Sequence, residues 1–353
     1  DKLTKTFLLR RLAKDVLTNL LPPRTEMLLF CRPSPLQRKL YDEVTTNHIS
    51  DPLPKLTKLR KLCSHPNLLG NENTDVTSNS CESSGKLEIL SKLLDEVKTT
   101  HPDEKVVLVS CFTSTLSLIE TLLVKPKGWT YKRLDGATPQ IKRQPVVDSF
   151  NRVSAKKAFL FLLSSKAGGV GLNLVGANRL IMFDADYNPA VDAQAMARIY
   201  RPGQTKPCFI YRFFTVGTVE EVVYQRQQQK DSLANMTVDR DSGNESGRFS
   251  KEELRDCFTL KDNNLCVCKD KLAWPDYNKV SDGLIKEGCS DKPLLRVAET
   301  TSDILTYVRV APQAQNRLCI EASLLEHDDQ SDDEESIHHS EKEDDNEASS
   351  QEE

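Results

Sequence analysis

Four uninterrupted apolar runs, separated by stretches of helical spacing, constrain this chain more than anything else in it. They are VVLVS at 106–110, AFLFLL at 158–163, RLIMFD at 179–184 and CFIYRFF at 208–214. A strand with one wet face alternates apolar and polar residues, whereas a strand covered on both faces is apolar throughout. Between the runs, residues 114–123 carry apolar side chains at helical spacing, and 140–150 form a weaker helix candidate. Leu87, Leu90, Leu94 and Val97 mark another helix ahead of the first run. This βαβ order predicts an α/β domain with a doubly wound parallel sheet.

The 353 residues hold one large domain or two smaller ones. Hydrophobic content is only 38%, and the C-terminus explains part of the deficit. Glu326–Glu353 carries 14 Asp and Glu against one Lys, a charge of −13 in a chain of net −4, which leaves +9 on the remainder. The body therefore suits a polyanionic partner, and 326–353 reads as a disordered acidic tail. No apolar run approaches the ~20 residues of a membrane span. No signal peptide opens the chain, and its start at Asp1 reads as the interior of a longer protein. Ten cysteines, most of them single in apolar runs such as Cys31, Cys111 and Cys208, read as reduced thiols. Cys257, Cys266, Cys268 and Cys289 leave a zinc site open, although C-x-C is not a standard finger spacing.

The expected organisation has four parts. Residues 1–83 form a basic, helix-rich linker in which Met27 to Cys31 is a strand candidate, followed by a polar loop at 70–84. Residues 84–235 form the sheet domain. Residues 236–325 form a helical extension, with capping boxes at Thr218/Glu221 just before it and Ser250/Glu253 within it. No element is assigned beyond Leu272 before the tail at 326–353.

Ligands of parallel sheets sit beyond the carboxyl ends of the strands. The turn after AFLFLL reads Ser164-Ser165-Lys166-Ala167-Gly168-Gly169-Val170-Gly171, whose glycines let backbone N–H groups approach an anion and whose serines can donate to phosphate. A dinucleotide loop would need a third glycine at Leu174, and no Walker A sequence occurs, so the turn reads as a phosphate cradle rather than a complete nucleotide site. Ser110 to Thr115 and Arg133 to Thr138 are further polar turns at strand ends. Each also fits an ordinary cap or turn, but three on one sheet point to a shared anion-binding rim. Downstream, Gln194, Arg198 and Arg201 follow Q-x-x-x-R-x-x-R, a spacing that puts all three on one side of a helix. Two such guanidiniums fit arginine fingers on a γ-phosphate, or a plain salt-bridged surface.

The segments Ser164 to Leu174, Gln194 to Gln204 and Lys105 to Thr115 resemble motifs V, VI and IV of Swi/Snf-type ATP-dependent DNA translocases, members of helicase superfamily two. Leu59 to Pro66 and Ser84 to Leu87 resemble the entry into that family's second RecA-like lobe, and the likeness runs from about Phe7 to Asp231. Leu8 to Arg11, Leu21 to Pro23, Phe30 to Pro33, Gly176 to Leu180, Phe249 to Leu254 and Phe258 to Leu260 resemble the recombination-repair branch named for the fifty-fourth Rad gene, its B type included.

The resemblance implies a RecA-like lobe, with ATP held between two lobes and duplex DNA crossing both. It makes Arg198 and Arg201 catalytic, and places Gly169 and Gln194 with them at ATP. Ser110, Thr113, Thr115, Arg133, Ser164, Ser165, Lys166 and Gly168 become DNA contacts. Mg would be held by a first lobe that nothing here resembles, so the chain alone is expected to be inactive. Double-stranded DNA, a RecA-type recombinase filament and chromatin are the implied partners, and the nucleus the implied location. Tyr200 and Pro202 depart from the usual motif VI, and Pro202 disfavours helical geometry at Arg201. A chromatin-remodelling motor and a non-catalytic DNA-binding or scaffold fragment remain the alternative readings.

Overall fold

The computed structural model describes residues 21–46, 52–70, 80–167, 171–237 and 291–310, together with 255, 257–261, 268, 272 and 278–279. Its centre is an eight-stranded sheet of order β3-β4-β2-β5-β6-β1-β8-β7. The strands are β1 (Arg24–Cys31), β2 (Val106–Ser110), β3 (Tyr131–Leu134), β4 (Leu160–Ser164), β5 (Arg179–Met182), β6 (Cys208–Thr215), β7 (Asn278–Lys279) and β8 (Leu305–Val310). The first six are mutually parallel, while β8 and β7 add antiparallel strands beyond β1.

All four apolar runs are strands of the parallel part, and the reason they lack alternation is visible in the two layers. Val106, Leu108, Leu160 and Leu162 face a core built with α3 (Gly85–Thr100), α4 (Thr113–Ile119) and α8 (Lys292–Thr300). Val107, Val109, Phe161 and Leu163 face a second core built with α5 (Gln140–Arg152) and α6 (Pro189–Met196). Successive side chains point to opposite faces, and both faces are dry.

The strand candidate at 27–31 starts earlier, at Arg24, and runs parallel to β6 from Arg24↔Cys208 to Cys31↔Thr215. The segment read as a linker thus contributes a strand to the sheet. After it, α1 (Pro35–Thr46) and α2 (Pro52–Ser64) pack on α7 (Val219–Thr237) through Leu40, Tyr41, Leu59, Leu62 and Val223. Gly85 opens α3 where a Cβ would lie 2.0 Å from the Arg32 carbonyl oxygen, so only glycine lets these two segments touch. Beyond Leu272, α8 and β8 occupy the region left unassigned by sequence. The acidic tail, the Ser250/Glu253 helix start, Leu8 to Arg11, Gly168 and Gly169 lie outside the described residues. Among the described residues no helix is long and apolar enough to cross a membrane.

Candidate functional site

Strands β2, β3 and β4 present their carboxyl ends to the same rim. At its centre the Ser165 N–H donates to the Ser110 carbonyl at 3.0 Å, so the turns after β4 and β2 touch. Ser164 and Ser165 are each 3% exposed, and the Ser165 hydroxyl has no hydrogen-bond partner among the described residues. Lys166 stands exposed beside them.

From Gly171 onward the same loop is stitched to the turn that follows α6. Leu174 N–H donates to the Arg198 carbonyl at 2.9 Å, and Arg201 Nη1 to the Gly171 carbonyl at 3.3 Å. Gln204 Nε2 donates to the carbonyls of Val175, Ala177 and Ile199 at 3.3, 2.8 and 2.9 Å. Its Oε1 accepts from the N–H groups of Thr205 and Lys206, each at 3.0 Å. Gly203, at φ 97°, supplies the left-handed bend that brings Gln204 back over the loop.

This stitching corrects one expectation. Gln194, Arg198 and Arg201 do not share one helix face, because α6 ends at Met196. Arg198 gives its carbonyl to Leu174, and its own N–H turns back to Ala195 at 3.2 Å, so the helical ladder cannot continue. Helix termination therefore precedes Pro202 by several residues. Gln194 lies half-buried on the last turn, while Arg198 is 1% and Arg201 6% exposed in the turns beyond. Arg201 Nε still reaches the Ala197 carbonyl at 3.3 Å. Tyr200, the residue that departs from the usual motif, donates its hydroxyl to the Pro22 carbonyl at 3.0 Å and lies 5.7 Å from the Arg24 guanidinium.

The turn after β2 is built around Asp184, which ends the RLIMFD run. Its carboxylate accepts from Ser110 Oγ at 2.5 Å and from Cys111 N–H at 2.6 Å. Ser110 and Thr115 are both fully buried, whereas Thr113 is exposed. Burial, followed by the negative charge of Asp184, pushes the Cys111 thiol well above its ordinary range. At the third turn, Arg133 projects from within β3 and is engaged by Glu120 at 2.8 Å and Asp135 at 2.9 Å. Burial opposes ionisation of Glu120, but hydrogen bonds from Lys125, Arg133 and Tyr131 outweigh it and hold the carboxyl at about 2. The structure thus joins the turn at 110–115 to Ser165 and the loop at 171–177 to the arginine-bearing turn, and draws Arg133 aside into ion pairs.

Asp184 and Arg60 escaped the sequence reading as site residues. An acid closing an apolar run was the available signal for Asp184. Arg60 lies in α2, its Nη2 donating to the Ala185 carbonyl, with its guanidinium 4.4 Å from the Tyr187 ring and 5.0 Å from the Phe112 ring. Nothing local to its own helix announces that role. Among the described residues no group of three or more His, Cys, Asp or Glu could hold a metal ion. Of the candidate zinc cysteines, Cys257 and Cys268 are buried in different apolar clusters, and Cys266 and Cys289 lie outside the described residues.

Two family models match the chain: an SNF2-related domain over residues 1–75 and a helicase conserved C-terminal domain over residues 85–203. The second ends at Gly203, so it contains the loop from Gly171 and the turn that follows α6 as far as the residue before Gln204. The chain belongs to the SNF2 helicase family. It is 43% identical over 311 residues to the DNA repair and recombination protein RAD54B of Gallus gallus, covering 77% of this chain and 33% of that protein. It is 42% identical over 296 residues to the DNA repair protein rhp54 of Schizosaccharomyces pombe, covering 75% and 34%. The chain thus spans about a third of the length of the curated relatives it matches. Among solved structures, the SWI2/SNF2 ATPase core of Sulfolobus solfataricus in complex with dsDNA aligns at a TM-score of 0.55 and 28% identity, covering 74% of this chain and 56% of that one. The architecture is that of a RecA-like SWI2/SNF2 lobe.

Proposed function

We propose that this chain is the second lobe of an ATP-dependent double-stranded-DNA translocase acting in homologous-recombination repair in the nucleus. The observation that carries the reading is the single hydrogen-bonded unit made by the loop from Gly171 and the turn from Arg198 to Gln204, at the carboxyl rim of a SNF2-type lobe. Its relatives' names speak of DNA repair and recombination, and one structural neighbour holds duplex DNA.

Arg198 and Arg201 act as fingers that neutralise charge on the transferring γ-phosphoryl group, with Gln194 and Gly169 beside them at ATP. The sequence contains no Walker A loop, so the triphosphate grip comes from a partner lobe. Magnesium is assigned to that lobe as well, with the triphosphate it would accompany. Thr113 and Lys166 face the phosphates of duplex DNA, with Ser110, Thr115, Ser164 and Ser165 shaping the turns from beneath. A recombinase filament of RecA type and chromatin are the proposed partners of the complete motor.

The test is DNA-stimulated ATP hydrolysis by the chain alone and after mixing with a Walker A-bearing lobe. Silence alone and activity on mixing is the expected result. Arg198→Ala or Arg201→Ala then lowers turnover ~10³-fold or more, the scale of arginine fingers elsewhere. Normal turnover in both variants would remove the fingers from the mechanism.

A further inference from the structure

Phe183 to Tyr187, which leaves β5 and enters α6, is gripped by side chains from several other elements. Lys86 of α3 donates to the Phe183 carbonyl at 2.8 Å, Arg60 of α2 to the Ala185 carbonyl, and Gln227 of α7 to the Asp186 carbonyl at 2.5 Å. The Asp186 N–H in turn donates to Asp192 Oδ1 at 3.0 Å. This crossover also reaches the turn after β2, because Asp184 takes both Ser110 Oγ and Cys111 N–H. Arg60 closes the same link a second way. Its guanidinium is shared between the ring of Phe112, in the turn, and the ring of Tyr187, in the crossover.

A planar guanidinium can stack on two rings while its edge donates to a carbonyl, which a lysine ammonium cannot do. Arg60 is 6% exposed, so these contacts are made away from water, where cation–π attraction is strongest. The crossover is the only chain path from β5 to α6 and hence to Arg198 and Arg201. The turn at 111–115 carries the exposed Thr113 on the rim.

We propose that Arg60 is a positioning residue that fixes the Cys111–Thr115 turn against the Phe183–Tyr187 crossover, and so sets the phosphate-facing rim relative to the arginine-bearing turn. The phosphate part of this inference rests on the proposed DNA function; the mechanical part does not. Arg60→Lys keeps the charge, and both residues are good helix formers, so α2 persists and any loss belongs to the stacked plane together with its donor edge. Phe112→Leu removes the ring from the other side at a half-exposed position.

Hydrogen–deuterium exchange on this chain tests the link directly. In each single variant, amides of 111–115 and 184–188 exchange about tenfold faster or more, together, while 106–109 keeps its wild-type protection. The Arg60→Lys/Phe112→Leu double variant exchanges no faster than either single, because both changes break one unit. Faster exchange confined to α2, a rise spread over the whole sheet, or multiplying effects in the double variant would overturn the proposal. Fluorescence anisotropy with a duplex separates the two readings. If the wild-type chain binds no duplex, the DNA assignment falls while exchange still decides the role of Arg60. If it binds, Arg60→Lys weakens binding about tenfold, and unchanged affinity despite a loosened turn would sever the junction from the DNA site.

Discussion

From β3 through β5 the sheet is clamped between two apolar layers, while from β6 through β8 it is threaded with buried charge. Val107, Leu108, Phe161, Leu162 and Leu180 are all fully buried among other apolar side chains. Across the other half, and at the start of β5 on its border, Arg24 pairs with Glu26 at 3.0 Å, Arg212 with Asp192 at 3.2 Å, Arg179 with Asp291 at 2.7 Å and Lys86 with Glu220 at 2.6 Å. Most of these pairs join segments far apart in sequence: β6 with α6, β5 with the cap of α8, and α3 with α7. Apolar contacts are non-directional and tolerate many partners, whereas a buried ion pair demands one geometry and penalises every other. One half of the sheet is therefore held by quantity of contact. The other is a polar seam that determines which flanking segments join it, and in what register.

The contrast is broken most sharply at Lys86. Its ammonium also donates to the Phe183 carbonyl, and Glu220 accepts from Thr215 N–H at 2.8 Å. Lys86→Met leaves a buried carboxylate without its cation and lowers stability by about 3–5 kcal/mol in urea unfolding. Lys86→Met/Glu220→Gln, which removes both charges but keeps an acceptor for Thr215, recovers a substantial part of that loss. A double variant no more stable than Lys86→Met would show that packing, not charge pairing, holds this part of the seam.

The same contrast explains what could be read from the sequence. VVLVS, AFLFLL, RLIMFD and CFIYRFF announced four parallel strands because burial on both faces leaves a local mark in composition. β3 announced only the turn that closes it, since Tyr131, Lys132 and Arg133 are all half-exposed at the sheet edge. β8 was hidden for a different reason: LTYVRV mixes polar and apolar residues because it pairs antiparallel at the flank, where Thr306 bonds the Phe30 carbonyl at 2.9 Å. At the site, the spacing of Gln194, Arg198 and Arg201 was legible, but the end of α6 was not. It is set by hydrogen bonds from Leu174 and Gln204, and those depend on the tertiary fold rather than on the local propensity of Ala195-Met196-Ala197. Arg60 was invisible as a site residue because both of its rings come from distant segments.

A second, smaller effect should appear in the pH dependence of the seam. Asp192 is 1% exposed, and burial raises its carboxyl from 3.8 to about 6 against the opposing pull of Arg212 and Gln227. The folded state therefore holds this proton more tightly than the unfolded chain does. Its contribution to stability is full below about pH 4 and is lost as pH rises through about 6, an effect of about 2–3 kcal/mol. Unfolding midpoints measured from pH 4 to 7 should fall more steeply in the wild type than in Asp192→Asn. Parallel slopes would mean that Arg212 keeps the carboxylate ionised throughout, and that the seam carries a true ion pair there.

The smallest expected effect lies at the opposite edge, where the apolar half meets solvent and charge pairing is cheap. Glu120 receives Lys125, Arg133 and Tyr131, yet such pairs near water contribute only about 0–1 kcal/mol. Glu120→Gln should therefore leave urea stability at neutral pH nearly unchanged. Because the carboxyl sits at about 2, below its ordinary 4.5, whatever it contributes is present above that ordinary value and is lost as pH falls toward 2. The informative readout is instead electrostatic. Neutralising Glu120 releases Arg133 from one of its two carboxylates, so if Arg133 belongs to the phosphate-binding rim, duplex affinity rises and its salt dependence steepens by about one ion. An unchanged salt slope would assign Arg133 to the fold alone, as the surface counterpart of the pairs that close the seam.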